Sequence, residues 1–278
     1  MAHQENTFIG LNDTEIYYQS WLPEDQLDAI LIIVHGFGEH SGRYSNAVDT
    51  LLPVHIGIYA LDHRGHGKSK GKENHVNRFS DYLMDINKLE QIVRENHPDL
   101  PLFMLGHSMG SLIATHYMGE MADQNNYTAF ILSGTGSRNG PGINKFTILL
   151  AKLLSKITPK LSIPSNLDPN FISHDQQVID NYVNDPLVHY DKISARLAAE
   201  MMGAATSMEE AARNINRPTL IQVGSEDDAF SGEQELYDAI NTENKKLEVY
   251  DGFRHEVYNE VQKEVSLTDL KDWILSFI

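Results

Sequence analysis

Residues 102–110 read Leu-Phe-Met-Leu-Gly106-His107-Ser108-Met109-Gly110, an apolar run that ends in a G-x-S-x-G motif and leads into a helical pattern from Ser111 to Met121. The motif alone is a weak signal; its place between a strand and a helix is what gives it meaning. Glycines at both ends permit a sharp turn without Cβ clashes. Such a turn projects the Ser108 hydroxyl from the C-terminal edge of a sheet, where the following helix N-terminus favours developing negative charge. The bland alternative is a glycine-rich turn whose serine merely caps a helix.

Working outward, Ala29–Val34 (AILIIV) and Ile56–Leu61 (IGIYAL) are continuous apolar runs of the same kind, as expected for parallel strands covered on both faces. Two shorter stretches, Thr7–Gly10 and Glu15–Trp21, predict an antiparallel pair at a sheet edge. Phe79–Asn96 carries Leu83, Ile86, Leu89 and Val93 at helical spacing, with Pro98 beyond its end. Strand and helix then alternate through Ala129–Leu132, Thr219–Val223, Glu233–Ile240, Leu247–Tyr250 and Val261–Phe277. The pattern predicts an α/β fold with a mostly parallel eight-stranded sheet flanked by helices.

One gap breaks the alternation. The 84 residues from Gly134 to Arg217 show no such strand, far too many for an ordinary crossover. They predict an inserted helical cap over 137–215, between core segments 1–136 and 216–278. Within it, residues 143–158 place Ile143, Phe146, Leu150, Leu153, Leu154 and Ile157 on one helical face and Lys145, Lys152 and Lys156 on another. From Ser137 to Leu167 there are five basic residues and no acidic one, in a chain of net charge −17. A basic amphipathic helix on an acidic body predicts peripheral contact with a membrane or amphiphile; the alternative is that it covers the core and solvates its lysines.

Composition narrows the function. With 278 residues and 41% hydrophobic content the chain can bury a large core, and the charge of −17 repels phosphate backbones, so nucleic-acid binding is not expected. There is no cysteine, which removes disulfides, thiol nucleophiles and Cys-ligated zinc. No signal-peptide pattern opens the chain and the longest clear apolar run has six residues (Ala29–Val34), so a soluble, cytoplasmic protein is expected. Gly67-Lys68-Ser69 lacks the glycine a phosphate loop needs, since Asp62 stands there. No cofactor and no metal is implied.

A serine hydroxyl is a poor nucleophile at neutral pH and needs a histidine base oriented by a carboxylate. In folds with this motif the order is serine, acid, histidine, each after a strand. Thr219–Val223 leads into Gly224-Ser225-Glu226-Asp227-Asp228, and Leu247–Tyr250 into Asp251-Gly252-Phe253-Arg254-His255. Asp227 and His255 hold the expected places, with Asp228 and Glu226 as rivals for the acid. The oxyanion of an ester intermediate needs two backbone N–H donors. Met109 follows the nucleophile, and Phe37 lies in His35-Gly36-Phe37-Gly38, the loop after the Ala29–Val34 strand.

Three longer stretches carry a resemblance: His35-Gly-Phe-Gly-Glu-His-Ser-Gly-Arg-Tyr44, Asp62-His-Arg-Gly-His-Gly-Lys-Ser69 and Leu100-Pro-Leu-Phe-Met-Leu-Gly-His-Ser-Met-Gly110. It continues more thinly in Tyr182-Val-Asn-Asp-Pro-Leu187 and around Asp227 and His255. The chain resembles the α/β-hydrolases of the monoglyceride lipase and lysophospholipase group. That resemblance implies a triad of Ser108, Asp227 and His255, an oxyanion hole of the Phe37 and Met109 amides, and a glycerol pocket with Glu39, Arg43 and Tyr182. Glu39 and Arg43 also admit a plainer reading, an ion pair that holds the loop. Where the mammalian enzymes carry a further pocket histidine this chain has Tyr258, a departure at the substrate site. The expectation is a serine carboxylester hydrolase acting on monoacylglycerol, or alternatively a lysophospholipase or general esterase. A non-catalytic binding protein on the same fold and a proline-releasing peptidase are the readings from other classes, the latter disfavoured by the lipase-like Glu39–Tyr44 stretch.

Overall fold

In the computed structural model, which describes residues 2–139 and 145–278, the apolar runs become the middle of one sheet. The chain runs through β1 (Ala2–Ile9), β2 (Glu15–Leu22), β3 (Ala29–Val34), α1 (Ser45–Leu51), β4 (Ile56–Leu61), α2 (Ser80–Asn96), β5 (Leu102–His107), α3 (Met109–Glu120) and β6 (Ala129–Ser133). A long excursion follows: β7 (Arg138–Asn139), α4 (Lys145–Ile157), β8 (Ser162–Pro164), α5 (Gln176–Asn184), β9 (Lys192–Ser194) and α6 (Ala195–Ala212). The chain then returns through β10 (Thr219–Gly224), β11 (Phe230–Ser231), α7 (Glu233–Ala239), β12 (Lys245–Tyr250) and α8 (Glu264–Leu275).

Eight strands form the main sheet in the order β1-β2-β4-β3-β5-β6-β10-β12. Only the pairings of β1 with β2 and β2 with β4 are antiparallel; all others are parallel. The alternation of side chains along β3 explains why a continuous apolar run is needed. Ile30, Ile32 and Val34 pack into a core with α2, α3 and α6, through Ile86, Leu112 and Met208 among others. Leu31 and Ile33 point the other way, into a core with Leu51 of α1 and Leu270 of α8.

The expected edge pair is longer than its sequence signal, since β1 begins at Ala2 and its residues are mostly exposed. The stretch between β6 and β10 contains short strands as well as helices: β7 pairs with β11, and β8 with β9, outside the main sheet. The expected 143–158 helix is α4; Ile143 and the side chains of Lys145 and Phe146 lie outside the described residues. On α4, Ala151 and Ser155 are buried, and Arg196 of α6 donates to the Ser155 carbonyl at 3.0 Å. Leu149, Leu150, Leu153 and Ile157 are instead 65%, 45%, 52% and 69% exposed. The helix therefore seats its small residues on the body and turns much of its apolar face outward, unlike a core-covering helix.

Candidate active site

Ser108 follows β5 with φ 54° and ψ −122°, a left-handed conformation that non-glycine residues seldom adopt. The strain is held by neighbours on both sides. Ser108 N–H donates to the Ser133 carbonyl of β6 at 3.1 Å, and the Ser111 hydroxyl donates back to the Ser108 carbonyl at 2.6 Å. The flanking glycines are dictated by contact: a Cβ on Gly106 would come within 2.6 Å of the Gly110 carbonyl oxygen, and one on Gly110 would strike the Val34 carbonyl. The turn exists because β3, β5 and α3 pack too closely for any side chain there.

His255 lies in the loop after β12 and Asp227 in the loop after β10, and parallel pairing of β10 with β12 places those loops side by side. His255 Nδ1 is 2.8 Å from Asp227 Oδ2, while the Ala229 N–H donates to Asp227 Oδ1 at 2.9 Å. Of the rival acids, Glu226 is exposed and pairs with His174 at 3.3 Å, and Asp228 is exposed. Burial alone would lower the His255 pKa, but the Asp227 charge and hydrogen bond outweigh it and hold it above the ordinary value. Burial pushes Asp227 up, yet the facing imidazole and the Ala229 N–H leave it below the usual carboxylate value. The imidazole is packed by Phe171 and His107, with ring centroids 5.0 and 4.9 Å away. Its Nε2 is buried and has no hydrogen-bond partner among the described residues.

Gly36 abuts Ser108, since a Cβ there would lie 3.0 Å from Ser108 Cβ. Among the described residues neither Phe37 N–H nor Met109 N–H has an acceptor, so two backbone donors remain unused beside Ser108. Gly38, at φ 71°, turns the loop against the stretch before α6. Its carbonyl accepts from His189 N–H at 2.8 Å, and His40 Nε2 meets Asp185 at 3.0 Å. Together these contacts fasten the 185–190 segment to the loop that carries Phe37.

Behind this loop lies a buried ion cluster. Glu39 Oε1 accepts from Gly36 N–H at 2.6 Å and from the Tyr44 hydroxyl at 2.8 Å, and Arg43 reaches Glu39 Oε2 at 2.7 Å. The same guanidinium binds Glu256 in a two-pronged pair at 2.6 and 2.8 Å and sits 4.5 Å over the Tyr182 ring. Burial and then Arg43 act in opposite directions on Glu39, with a net lowering of its pKa. Every Glu39 and Arg43 bond here is internal, the geometry of the plainer loop-holding reading. Tyr258 is 5% exposed and gives its hydroxyl proton to Gln222 Oε1 at 2.6 Å, so that its polar end is used within the core. Glu256 had no sequence signal of its own; its position next to His255 is the only hint.

No group of three or more His, Asp or Glu placed to hold a metal occurs among the described residues. Comparison with known proteins adds to this geometry. The family model described as serine aminopeptidase, S33, matches residues 25–262. A monoacylglycerol lipase of Mycolicibacterium smegmatis is 34% identical over 100% of this chain and 99% of its own length. The chain belongs to the monoglyceride lipase family of α/β-hydrolases. Human monoglyceride lipase is 28% identical over 91% of this chain and 84% of its own length. The crystal structure of Paleococcus ferrophilus monoacylglycerol lipase superposes on this family member with a TM-score of 0.83 at 28% identity, covering 100% of both chains.

Proposed function

We propose that the protein is a serine hydrolase cleaving single-chain lipid esters, with monoacylglycerol, giving glycerol and a fatty acid, as the favoured substrate. The observation that carries this is the His255 Nδ1–Asp227 contact of 2.8 Å with the opposite ring nitrogen buried and free, in a loop beside the strained Ser108 turn. In this reading His255 Nε2 takes the Ser108 proton as Oγ adds to the ester carbonyl. Asp227 fixes the tautomer and stabilises the imidazolium. The Phe37 and Met109 amides hold the oxyanion. His255 then returns the proton to the departing alkoxide, and water repeats the sequence on the acyl-enzyme to release the acid. Residues 137–215 act as a cap on the core of 1–136 and 216–278. Glu39, Arg43 and Tyr182 shape the head-group end of the site, chiefly by holding the Phe37 loop, and Tyr258 contributes apolar wall. The exposed leucines of α4 supply peripheral contact with the lipid surface that holds the substrate.

The test is covalent labelling with a fluorophosphonate, alongside fatty-acid release from monoacylglycerol and from lysophosphatidylcholine of equal chain length. Labelling of the wild type that vanishes in Ser108→Ala, with faster release from monoacylglycerol, is the expected result. Faster release from lysophosphatidylcholine would reassign the substrate. Folded wild type that neither labels nor hydrolyses would leave a binding protein on a hydrolase fold.

A further inference from the structure

A second cavity of about 480 Å³ opens on the flank of the molecule, between the start of α2, the C-terminal half of α3, α4 and α6. It is separate from the site above: His116, which lines it, is eight residues along α3 from Ser108, or about 12 Å of helix. Its size lies within the roughly 300–1,000 Å³ of small-molecule sites. Phe79, Leu83, Ala199 and Ala204 give it an apolar floor. Two carboxylates also line it, and both are engaged. Glu120 meets His116 Nδ1 at 2.7 Å, while Glu200 accepts from Phe79 N–H at 2.9 Å and pairs with Arg196 at 3.4 Å. On the rim Lys152 and Lys156 are exposed and have no ion-pair partner among the described residues. Standing four apart on α4, their stems are about 6 Å from each other, a spacing that lets two ammonium groups close on one small anion.

We propose that this groove binds one long-chain fatty-acid anion, with the alkyl chain along the Leu83–Ala199 floor and the carboxylate between Lys152 and Lys156. Charge complementarity selects the anion: in a chain of net charge −17, these unpaired lysines stand in a stretch without acidic residues. An apolar floor within an otherwise polar groove, bordered by two cations with no ion-pair partner among the described residues, matches a single-chain amphiphile with an anionic head. The ligand is the acid that the proposed reaction releases, and to that extent the inference rests on the function above. Bound there, it touches α4 and α6 of the cap and α2 of the core, bridging the two.

The experiment uses protein whose Ser108 has been blocked with fluorophosphonate, so that labelling reports the catalytic reading and binding reports the groove. Hexadecanoate, kept below its micelle concentration, is titrated by displacement of a fluorescent fatty acid. Hexadecanol serves as the uncharged control. One site per chain is expected, weakened about tenfold or more when Lys152→Gln and Lys156→Gln are combined, the loss of about 1.4 kcal/mol or more in a charge-assisted contact. Hexadecanol is expected to bind about tenfold more weakly than the acid. Gly203→Phe supplies an independent block: Gly203 lines the groove, and a Cβ there meets no atom within 4 Å, so the ring fills the cavity without displacing backbone. Absence of a site in the blocked protein, or equal affinity in the lysine and Gly203→Phe variants, would overturn the proposal. So would lysine variants that lose binding to phosphatidylglycerol vesicles while keeping hexadecanoate, which would assign the cations to a lipid surface. Should the wild type fail to label, the same titration on the unblocked protein and its groove variants still decides the groove.

Discussion

Removing the Arg43 guanidinium is the sharpest test of how the site is held together. Arg43, Glu39 and Glu256 side chains are 10%, 5% and 6% exposed, so solvent cannot replace the lost partner. Arg43→Met keeps much of the volume and strands two buried carboxylates. Glu39 retains Gly36 N–H and the Tyr44 hydroxyl, and among the described residues Glu256 retains only the Asn259 amide at 2.7 Å. Breaking a buried ion pair from one side costs about 3–5 kcal/mol. For a chain of this size that is on the order of 10 °C in Tm. The assay is thermal unfolding at pH 7, with the fluorophosphonate labelling rate measured well below the transition. Labelling should slow as well, because Glu39 also holds the Gly36 amide in the loop that carries Phe37. A double variant, Arg43→Met with Glu256→Gln, removes one stranded charge and should recover part of the lost stability. A loss below about 1 kcal/mol, the range of exposed pairs, would refute the reasoning. Failure of the double variant to recover would place the cost in lost packing over Tyr182.

Four further outcomes follow from the geometry. Since the base must be neutral and Asp227 raises the His255 pKa, ester hydrolysis should fall with a midpoint above the ordinary histidine value of about 6.5 as pH drops; a midpoint below that value would contradict the pairing. The corresponding stabilisation is present below about pH 6.5 and is lost as pH rises through the raised folded-state pKa. Asp227→Asn should cut kcat by on the order of 10⁴, whereas Asp228→Asn should leave it within a few-fold, and equal losses would reopen the choice of acid. Ser108→Gly should abolish labelling yet raise stability by about 1 kcal/mol or more, because φ 54° costs a serine what it does not cost a glycine; an unchanged Tm would mean the turn stores no strain. Leu153→Glu with Ile157→Glu should weaken sedimentation with lipid vesicles without lowering Tm, since both side chains are exposed; a cooperative loss of stability would instead show that they pack on the body.

The parallel sheet was legible because burial on both faces writes itself into sequence as short runs such as Ala29–Val34, whose length and β-branched content set them apart from a buried helix segment. The Ser108 turn was legible because glycine is the only residue that two close backbones admit at positions 106 and 110. Asp227 and His255 required topology as well as local sequence: each is an ordinary polar residue until the β10–β12 pairing sets their loops side by side. Glu256 was not legible for a related reason. Its partner is 213 residues away, and nothing in its neighbours distinguishes a buried, paired glutamate from one in water. Tyr258 shows the reverse limit, since the family resemblance put it at the substrate pocket while its hydroxyl donates to Gln222 in the core.

That difference bears on how such a site tolerates change. The proposed reacting groups are held from two directions: the sheet fixes Ser108, Asp227 and His255 through backbone pairing, whereas the Phe37 loop is held by side chains, above all Glu39 and Arg43. Main-chain hydrogen bonds of a buried sheet survive most substitutions, but a buried ion cluster fails when one member is lost. The same loop is also fastened to the 185–190 segment through Gly38 and His40. A shift of that segment would therefore reach Phe37, a proposed oxyanion donor, before it reached the proposed triad. Substitutions in the Arg43 cluster should accordingly depress the acylation rate through oxyanion stabilisation while leaving the His255 acid limb set by Asp227, and a variant in which rate and acid limb move together would show that the two supports are one.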